Sequence, residues 1–125
     1  NQEGYRNLCR LATAAQLEGF YYKPRIDREL LKECSQGLIA MSACLHGEIP
    51  RRIMAGRMDQ AEQAARDYLA MFGENRFFLE IQNNGIDDQV RVNAALVDMS
   101  RRLSVPLVAS NDCHYLSRED VRARV

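Results

Sequence analysis

The chain has 125 residues, 46% hydrophobic and 27% charged, with 17 basic and 17 acidic side chains that cancel to zero formal charge. That composition supplies a core for one domain, or part of one, and argues against disorder. It leaves no global basic field for nucleic acid, so any such contact has to be local or supplied by another part of a larger protein. No run of about 18 apolar residues is present, which excludes a membrane-spanning helix, and no secretory leader is visible, so a cytoplasmic location is expected.

Residues 2 to 17 read as a helix, because Tyr5, Leu8, Leu11, Ala15 and Leu17 form a roughly helical apolar stripe. Gly19 ends it. Phe20-Tyr21-Tyr22-Lys23-Pro24-Arg25 follows as an extended link, with Pro24 biasing its neighbour away from helix. The three aromatics can stack on bases while Lys23 and Arg25 touch phosphates; the alternative is a loop anchored in the core. Asp27 is placed to cap a short helix, Arg28 to Cys34.

Gly37 to Ser42 is a short apolar run that fits a strand buried on both faces. It opens onto Ala43-Cys44-Leu45-His46-Gly47-Glu48, a polar mouth, and Ile49 to Ala55 adds one or two helical turns with Pro50 at an allowed early position. Asp59 and Glu62 have capping-box spacing for a helix that runs to Phe72, with Ala61, Ala65, Tyr68, Leu69 and Phe72 inward. Arg76 to Gln82 reads as the next strand, Asn83-Asn84-Gly85 as a turn, and Asp88 to Leu103 as a helix with a Val92, Leu96, Met99, Leu103 stripe. A third strand lies around Val105 to Val108, and Ser117-x-x-Asp120 resembles a cap for a last helix.

Strands that alternate with helices give an α/β fold with parallel strands and right-handed crossovers. Three parallel strands leave two exposed edges, which predicts that the sheet belongs to a larger one or that copies self-associate through those edges. The start at Asn1 and the end at Val125 also suggest a piece of something longer.

The four cysteines, Cys9, Cys34, Cys44 and Cys113, form no C-x-x-C pair and are expected as reduced thiols, with Cys9 and Cys34 as small core residues. Each strand ends in polar chemistry: Cys44 after the first, Glu80, Gln82 and Asn83 on the second, Asp112 and His114 after the third. Parallel strands gather these ends on one rim. In an extended segment Asp112 and His114 share a face and Cys113 points away, into apolar packing. Thiolate, carboxylate and imidazole together suit zinc, or manganese or iron where oxygen and nitrogen dominate. A metal held there would activate water and polarise a phosphoryl oxygen, which predicts phosphoester hydrolysis. Glu80 has three readings: a ligand, a group that orients a ligand, or a buried carboxylate paired with an arginine; the second is preferred. His46 is read as a solvated loop residue. An Asp capping a turn beside a surface His is the plain alternative for Asp112 and His114.

Several stretches carry a resemblance. They are Gly4-Tyr5-x-Asn7-Leu8, Lys23-Pro24-Arg25-Ile26-Asp27, Gly37-Leu38-Ile39, Ser42-Ala43-Cys44-Leu45-x-Gly47-Glu48-Ile49, Phe78-Leu79-Glu80-Ile81-Gln82 and Pro106 to Leu116. In order and spacing they resemble the PHP (polymerase and histidinol phosphatase) domain of bacterial DNA polymerase III alpha subunits. The resemblance implies the C-terminal part of a distorted seven-stranded (βα) barrel over residues 1–125, with the amino-terminal strands and H-x-H motif preceding Asn1. It implies that Cys44, Asp112 and His114 are metal ligands, with Asp112 and His114 catalytic, in a metal-dependent phosphoesterase or 3′-5′ proofreading exonuclease. Zinc or manganese is the implied metal, with none bound by the isolated chain as the alternative. DNA and other replicase subunits (sliding clamp, exonuclease or clamp loader) are the implied partners. Family members that lack the ligands imply the alternative of a scaffold that docks a separate exonuclease. Cys113 departs from the aliphatic residue usual in the family at this position.

Overall fold

The computed structural model describes residues 1–117, 119 and 120. Helix α1 (Gln2–Leu17) opens at Asn1, whose side chain accepts from the Gly4 amide at 2.9 Å and fills one of the open donors of the first turn. The short α2 (Arg28–Glu33) is capped as expected by Asp27, which accepts from the Leu30 amide at 2.8 Å. Strand β1 (Ala40–Met41), helices α3 (Glu48–Met54) and α4 (Met58–Phe72), strand β2 (Phe77–Gln82), helix α5 (Asp87–Leu103) and strand β3 (Leu107–Ser110) follow. The three strands are parallel in the order β1-β2-β3, with Ala40 opposite Phe77 and Leu79 opposite Leu107.

The core lies between the sheet and helices α3, α4 and α5. Phe77 and Leu79 of β2 meet Ile49 and Ile53 of α3, the small Ala61, Ala64 and Ala65 of α4, and Val92, Leu96 and Met99 of α5. The alanine ridge is what lets α4 approach closely, while the α5 stripe repeats at helical spacing. Val105, at the entry to β3, closes the cluster and is 1% exposed. The helices cover one face of the sheet. Met41 and Phe78, paired in register, share the other, where Met41 is 52% exposed.

Helix α1 is held differently. Gly4 and Leu11 are its buried residues, and the Asn7 side chain donates to the Gln36 carbonyl at 2.9 Å. A β-carbon on Gly4 would stand 2.0 Å from the Gly37 carbonyl oxygen, so only glycine permits this crossing.

Four local expectations are corrected. The Gly37 to Ser42 run is a two-residue strand and is not buried on both faces: Ile39 and Met41 stand exposed on a side that no helix covers among the described residues. Helix α4 begins at Met58, which puts Asp59 inside the first turn; the N-cap position falls to Arg57, and no side chain caps it. Cys9 is exposed whereas Cys34 is buried: Gly4 and Leu11 define the docked line of α1, and Cys9 lies off it. Cys113 is exposed, since the chain has left the sheet by then and the in–out alternation no longer holds. Asp120 accepts from the Ser117 amide at 2.9 Å, as a capping box requires, and the helix expected after it lies outside the described residues.

Candidate functional site

The first polar mouth is a tight turn after β1. Ala43 takes φ of +64°, and the Gly47 amide donates to the Cys44 carbonyl at 2.8 Å. Any β-carbon on Gly47 would sit 2.1 Å from the Ser42 oxygen, so the turn is glycine-dependent. It holds the half-buried Cys44 with its sulfur 3.9 Å from Nδ1 of the exposed His46. His46 is an exposed loop residue, as expected, and shares that loop with Cys44.

Glu80, midway along β2, projects to the same rim. Its Oε1 accepts from the Ser110 hydroxyl of β3 and from Gln82 Nε2 at 3.1 Å. Its amide donates to Ser42 Oγ across 2.8 Å, which ties the β1 turn to β2. A void of about 10 Å³, no more than one water's worth, is bordered by Cys44, Glu80, Gln82, Gln89 and Asn93. Asn93 donates to the Gln82 carbonyl at 2.7 Å and so anchors the end of β2 to α5. Glu80 makes no ion pair among the described residues; its carboxylate is instead held by Ser110 and Gln82.

Asp112 and His114 lie beyond the end of β3, not on it. Asp112 takes φ of +52°, a left-handed conformation that breaks the extended run on which the shared-face expectation rested. The turn nevertheless brings the two together: His114 Nδ1 lies 2.6 Å from the Asp112 carbonyl oxygen and 3.9 Å from Oδ1. Both side chains are partly open to solvent.

Beside the Cys44 turn is a network that local sequence patterns could not show. Glu48, in the first turn of α3, pairs with Arg28 of α2 at 2.7 Å and with Arg52 at 2.5 Å, and accepts the Tyr68 hydroxyl of α4 at 2.6 Å. Arg28 also reaches Asp67 at 2.6 Å, and its guanidinium lies over the Tyr68 ring, which stacks on Phe77. Burial, then the bond to Glu48, pushes the Tyr68 phenol up to about 12. Burial alone would raise Glu48, but the Tyr68 hydroxyl with Arg28 and Arg52 outweighs it and holds the carboxyl below its usual range. Arg52 stands four residues from Glu48, a spacing legible on a helix, but Arg28 and Tyr68 are each 20 residues away, so no local spacing marks them.

Phe20, Tyr21 and Tyr22 are all exposed, so the loop is not anchored in the core. The Tyr21 amide donates to the Lys23 carbonyl, Tyr22 takes φ of +58°, and Arg25 sits 5.3 Å from the Tyr21 ring centre. The expected extended link is thus a tight turn that presents Lys23 and Arg25 beside bare aromatic rings.

As a metal centre the residues divide into two pairs, Cys44 with His46 and Asp112 with His114. Among the described residues no three His, Cys, Asp or Glu side chains converge on one point, and no buried side-chain nitrogen or oxygen lacks a partner. The donor types suit zinc or manganese, but the arrangement does not by itself form a closed metal site.

Comparison with known proteins gives the setting. The PHP domain family matches residues 1–84. DNA polymerase III subunit alpha of Thermus aquaticus is 53% identical over 120 residues, 96% of this chain and 10% of that protein. The subunit alpha of Treponema pallidum is 46% identical over the same share of each. That of Borreliella burgdorferi is 50% identical over 124 residues, 99% of this chain and 11% of that protein, a span that takes in Asp112 and His114. The chain therefore spans about a tenth of the length of the curated relatives it matches. A parallel α/β sheet with a polar rim, the match over β1, β2 and the Cys44 turn, and this run of similar sequences lead to one conclusion: the chain belongs to the PHP domain family.

Proposed function

We propose that the chain is the later part of the PHP domain of a DNA polymerase III alpha subunit, and that the complete domain is a metal-dependent phosphoesterase acting as a 3′-5′ proofreading exonuclease. In this reading Cys44, Asp112 and His114 contribute donors to a divalent metal, zinc or manganese, within a seven-stranded barrel completed by segments outside these residues. A metal so held would supply an activated water and charge for the phosphoryl oxygens. The residues here orient and support: Glu80 holds the Cys44 turn to β2 and β3 through Ser42 and Ser110, and Asp112 fixes the His114 ring. Lys23 and Arg25 contact the DNA strand, with Tyr21 and Tyr22 as stacking surfaces. The polymerase works in the cytoplasm with sliding-clamp, exonuclease or clamp-loader subunits. The observation that carries the reading is the gathering of Cys44 and Glu80 on one rim of the parallel sheet, with the Asp112–His114 pair just past its third strand.

The second reading is a scaffold that stabilises the polymerase or docks a separate exonuclease, and copies of the isolated chain would then pair through the open edges of β1 and β3. The two-pair division of the donors favours it for this chain taken alone. A 3′-labelled mismatched primer, incubated with the whole polymerase that carries this chain, separates the two. The exonuclease reading predicts shortening that EDTA and Asp112→Asn abolish. No shortening from the wild-type enzyme, with or without added manganese, leaves only the scaffold.

A further inference from the structure

A second concavity adjoins the Cys44 turn and has no part in the donor pairs except through His46. It measures about 520 Å³ and is lined by His46, Glu48, Arg51, Arg52, Ala55 and Arg57. That volume lies within the range of small-ligand clefts, about 300–1,000 Å³. Three guanidiniums therefore face one space in a chain whose formal net charge is zero. Like charges in a concave wall focus the field outward and raise the local concentration of anions.

The wall's own carboxylate, Glu48, does not neutralise them all. It is engaged by Arg28, Arg52 and the Tyr68 hydroxyl, and Arg52 spends its other terminal nitrogen on the Gln60 carbonyl at 2.7 Å. Arg51 and Arg57 form no side-chain hydrogen bond or ion pair among the described residues, and both are exposed. A plain explanation covers part of this: Arg51 and Arg52 lie in the last turn of α3, where positive charge complements the helix dipole. It does not cover Arg57, which lies beyond α3 at the N-cap of α4, a position where cationic charge is unfavourable. Nor does it explain why all three share one cavity with an imidazole.

We infer that this cavity seats a backbone phosphate of a single nucleic-acid strand, with Arg51 and Arg57 as its contacts and Arg52, fixed by Glu48, as the rigid member of the set. Guanidinium forks match phosphate oxygens in pairs, which suits arginine over lysine at such a seat. His46 links the seat to the Cys44 turn, so a strand occupying the cavity runs toward the donor pairs. The choice of a nucleic-acid strand as the source of the phosphate rests on the proposed polymerase origin of the chain, and its direction on the phosphoesterase reading; the anion seat itself rests on neither.

The test is fluorescence anisotropy of a labelled oligothymidylate with the 125-residue chain, in EDTA and over a salt series. Arg51→Ala/Arg57→Ala is compared with wild type and with Arg91→Ala, a surface arginine on α5, and circular dichroism confirms that each variant is folded. The double variant is expected to bind about tenfold more weakly and to lose roughly 1.4 from the slope of log affinity against log salt, two single-strand phosphate contacts' worth. Arg91→Ala should change neither. Arg51→Lys/Arg57→Lys should recover the slope and part of the affinity. Equal binding by wild type and the double alanine variant would overturn the inference. So would inorganic phosphate binding that depends on Arg51 and Arg57 while oligonucleotide binding does not, since the seat would then serve a free anion. With EDTA present no hydrolysis is needed, so a polymerase without exonuclease activity would defeat the phosphoesterase reading and leave this result standing.

Discussion

The Tyr68 hydroxyl donates to Glu48 across 2.6 Å, and that bond joins the C-terminal half of the alanine-rich α4 to the first turn of α3, which follows the Cys44 turn. Tyr68→Phe keeps the ring on Phe77 and deletes the bond. The expected cost is about 1 kcal/mol, read as a lower melting temperature at neutral pH. The wild type should also show a distinctive alkaline loss. Its phenol is held at about 12, against an ordinary 10.0, so the folded chain keeps a proton that the unfolded chain gives up. This contribution is complete below pH 10 and vanishes as pH rises toward 12. Glu48 works in the opposite sense: its depressed pKa stabilises above the carboxylate range and is lost as pH falls through the folded value. Denaturant melts of wild type and Tyr68→Phe should converge as pH climbs from 10 to 12; curves that stay parallel would refute the assignment.

Gly4→Ala tests how α1 is held. The new methyl would have to displace the Gly37 carbonyl, 2.0 Å away, at a cost of roughly 1–3 kcal/mol. Because α1 rests on a short line of contacts around Gly4, Asn7 and Leu11, the expected result is local release. Hydrogen exchange should accelerate across residues 2–17 while α5 stays protected. Uniform acceleration across both helices would mean that α1 is integral to the core.

Leu96→Ala opens a cavity beneath β2, where Leu96, Leu79 and Met99 are each 0% exposed. The expected loss is about 2–5 kcal/mol, enough to unfold a large fraction of a marginally stable domain. Urea melts followed by circular dichroism would measure it; a loss well under 1 kcal/mol would show that α5 does not seal the sheet.

The thiols offer a quick check of the fold. Cys9 and Cys113 are exposed and Cys34 is 0% exposed. A thiol-specific reagent followed by mass spectrometry should mark Cys9 and Cys113 within the first time points and leave Cys34 untouched until denaturant is added. Early labelling of Cys34 would contradict the packing of α2 against the core.

What could be read from the chain and what could not divide along physical lines. The long helices were legible because helical periodicity is local: α1 runs Gln2–Leu17 as expected, although Leu11 of its stripe is buried while Tyr5, Leu8 and Leu17 are exposed, and Val92, Leu96 and Met99 are inward on α5. The parallel order followed from alternation of strands and helices. The double burial of Gly37 to Ser42 failed because an apolar run records hydrophobicity, not which face a helix covers. The shared face of Asp112 and His114 failed as a geometric derivation because a single left-handed residue, Asp112, cancels strand periodicity. The ties from Glu48 to Arg28 and Tyr68 were invisible because they span 20 residues, and nothing local encodes them. The exposure of Cys113 followed from the same departure of the chain after Ser110.

The central claim is that Cys44, Asp112 and His114, here in separate pairs, serve one metal centre in the complete PHP domain. Elemental analysis of the whole polymerase carrying this chain, as wild type, Cys44→Ala and His114→Ala, tests it most directly. The account predicts near-stoichiometric zinc or manganese in the wild type and a clear loss in both variants, with polymerase activity retained. Wild-type protein free of metal, or metal content unmoved by either substitution, would contradict it.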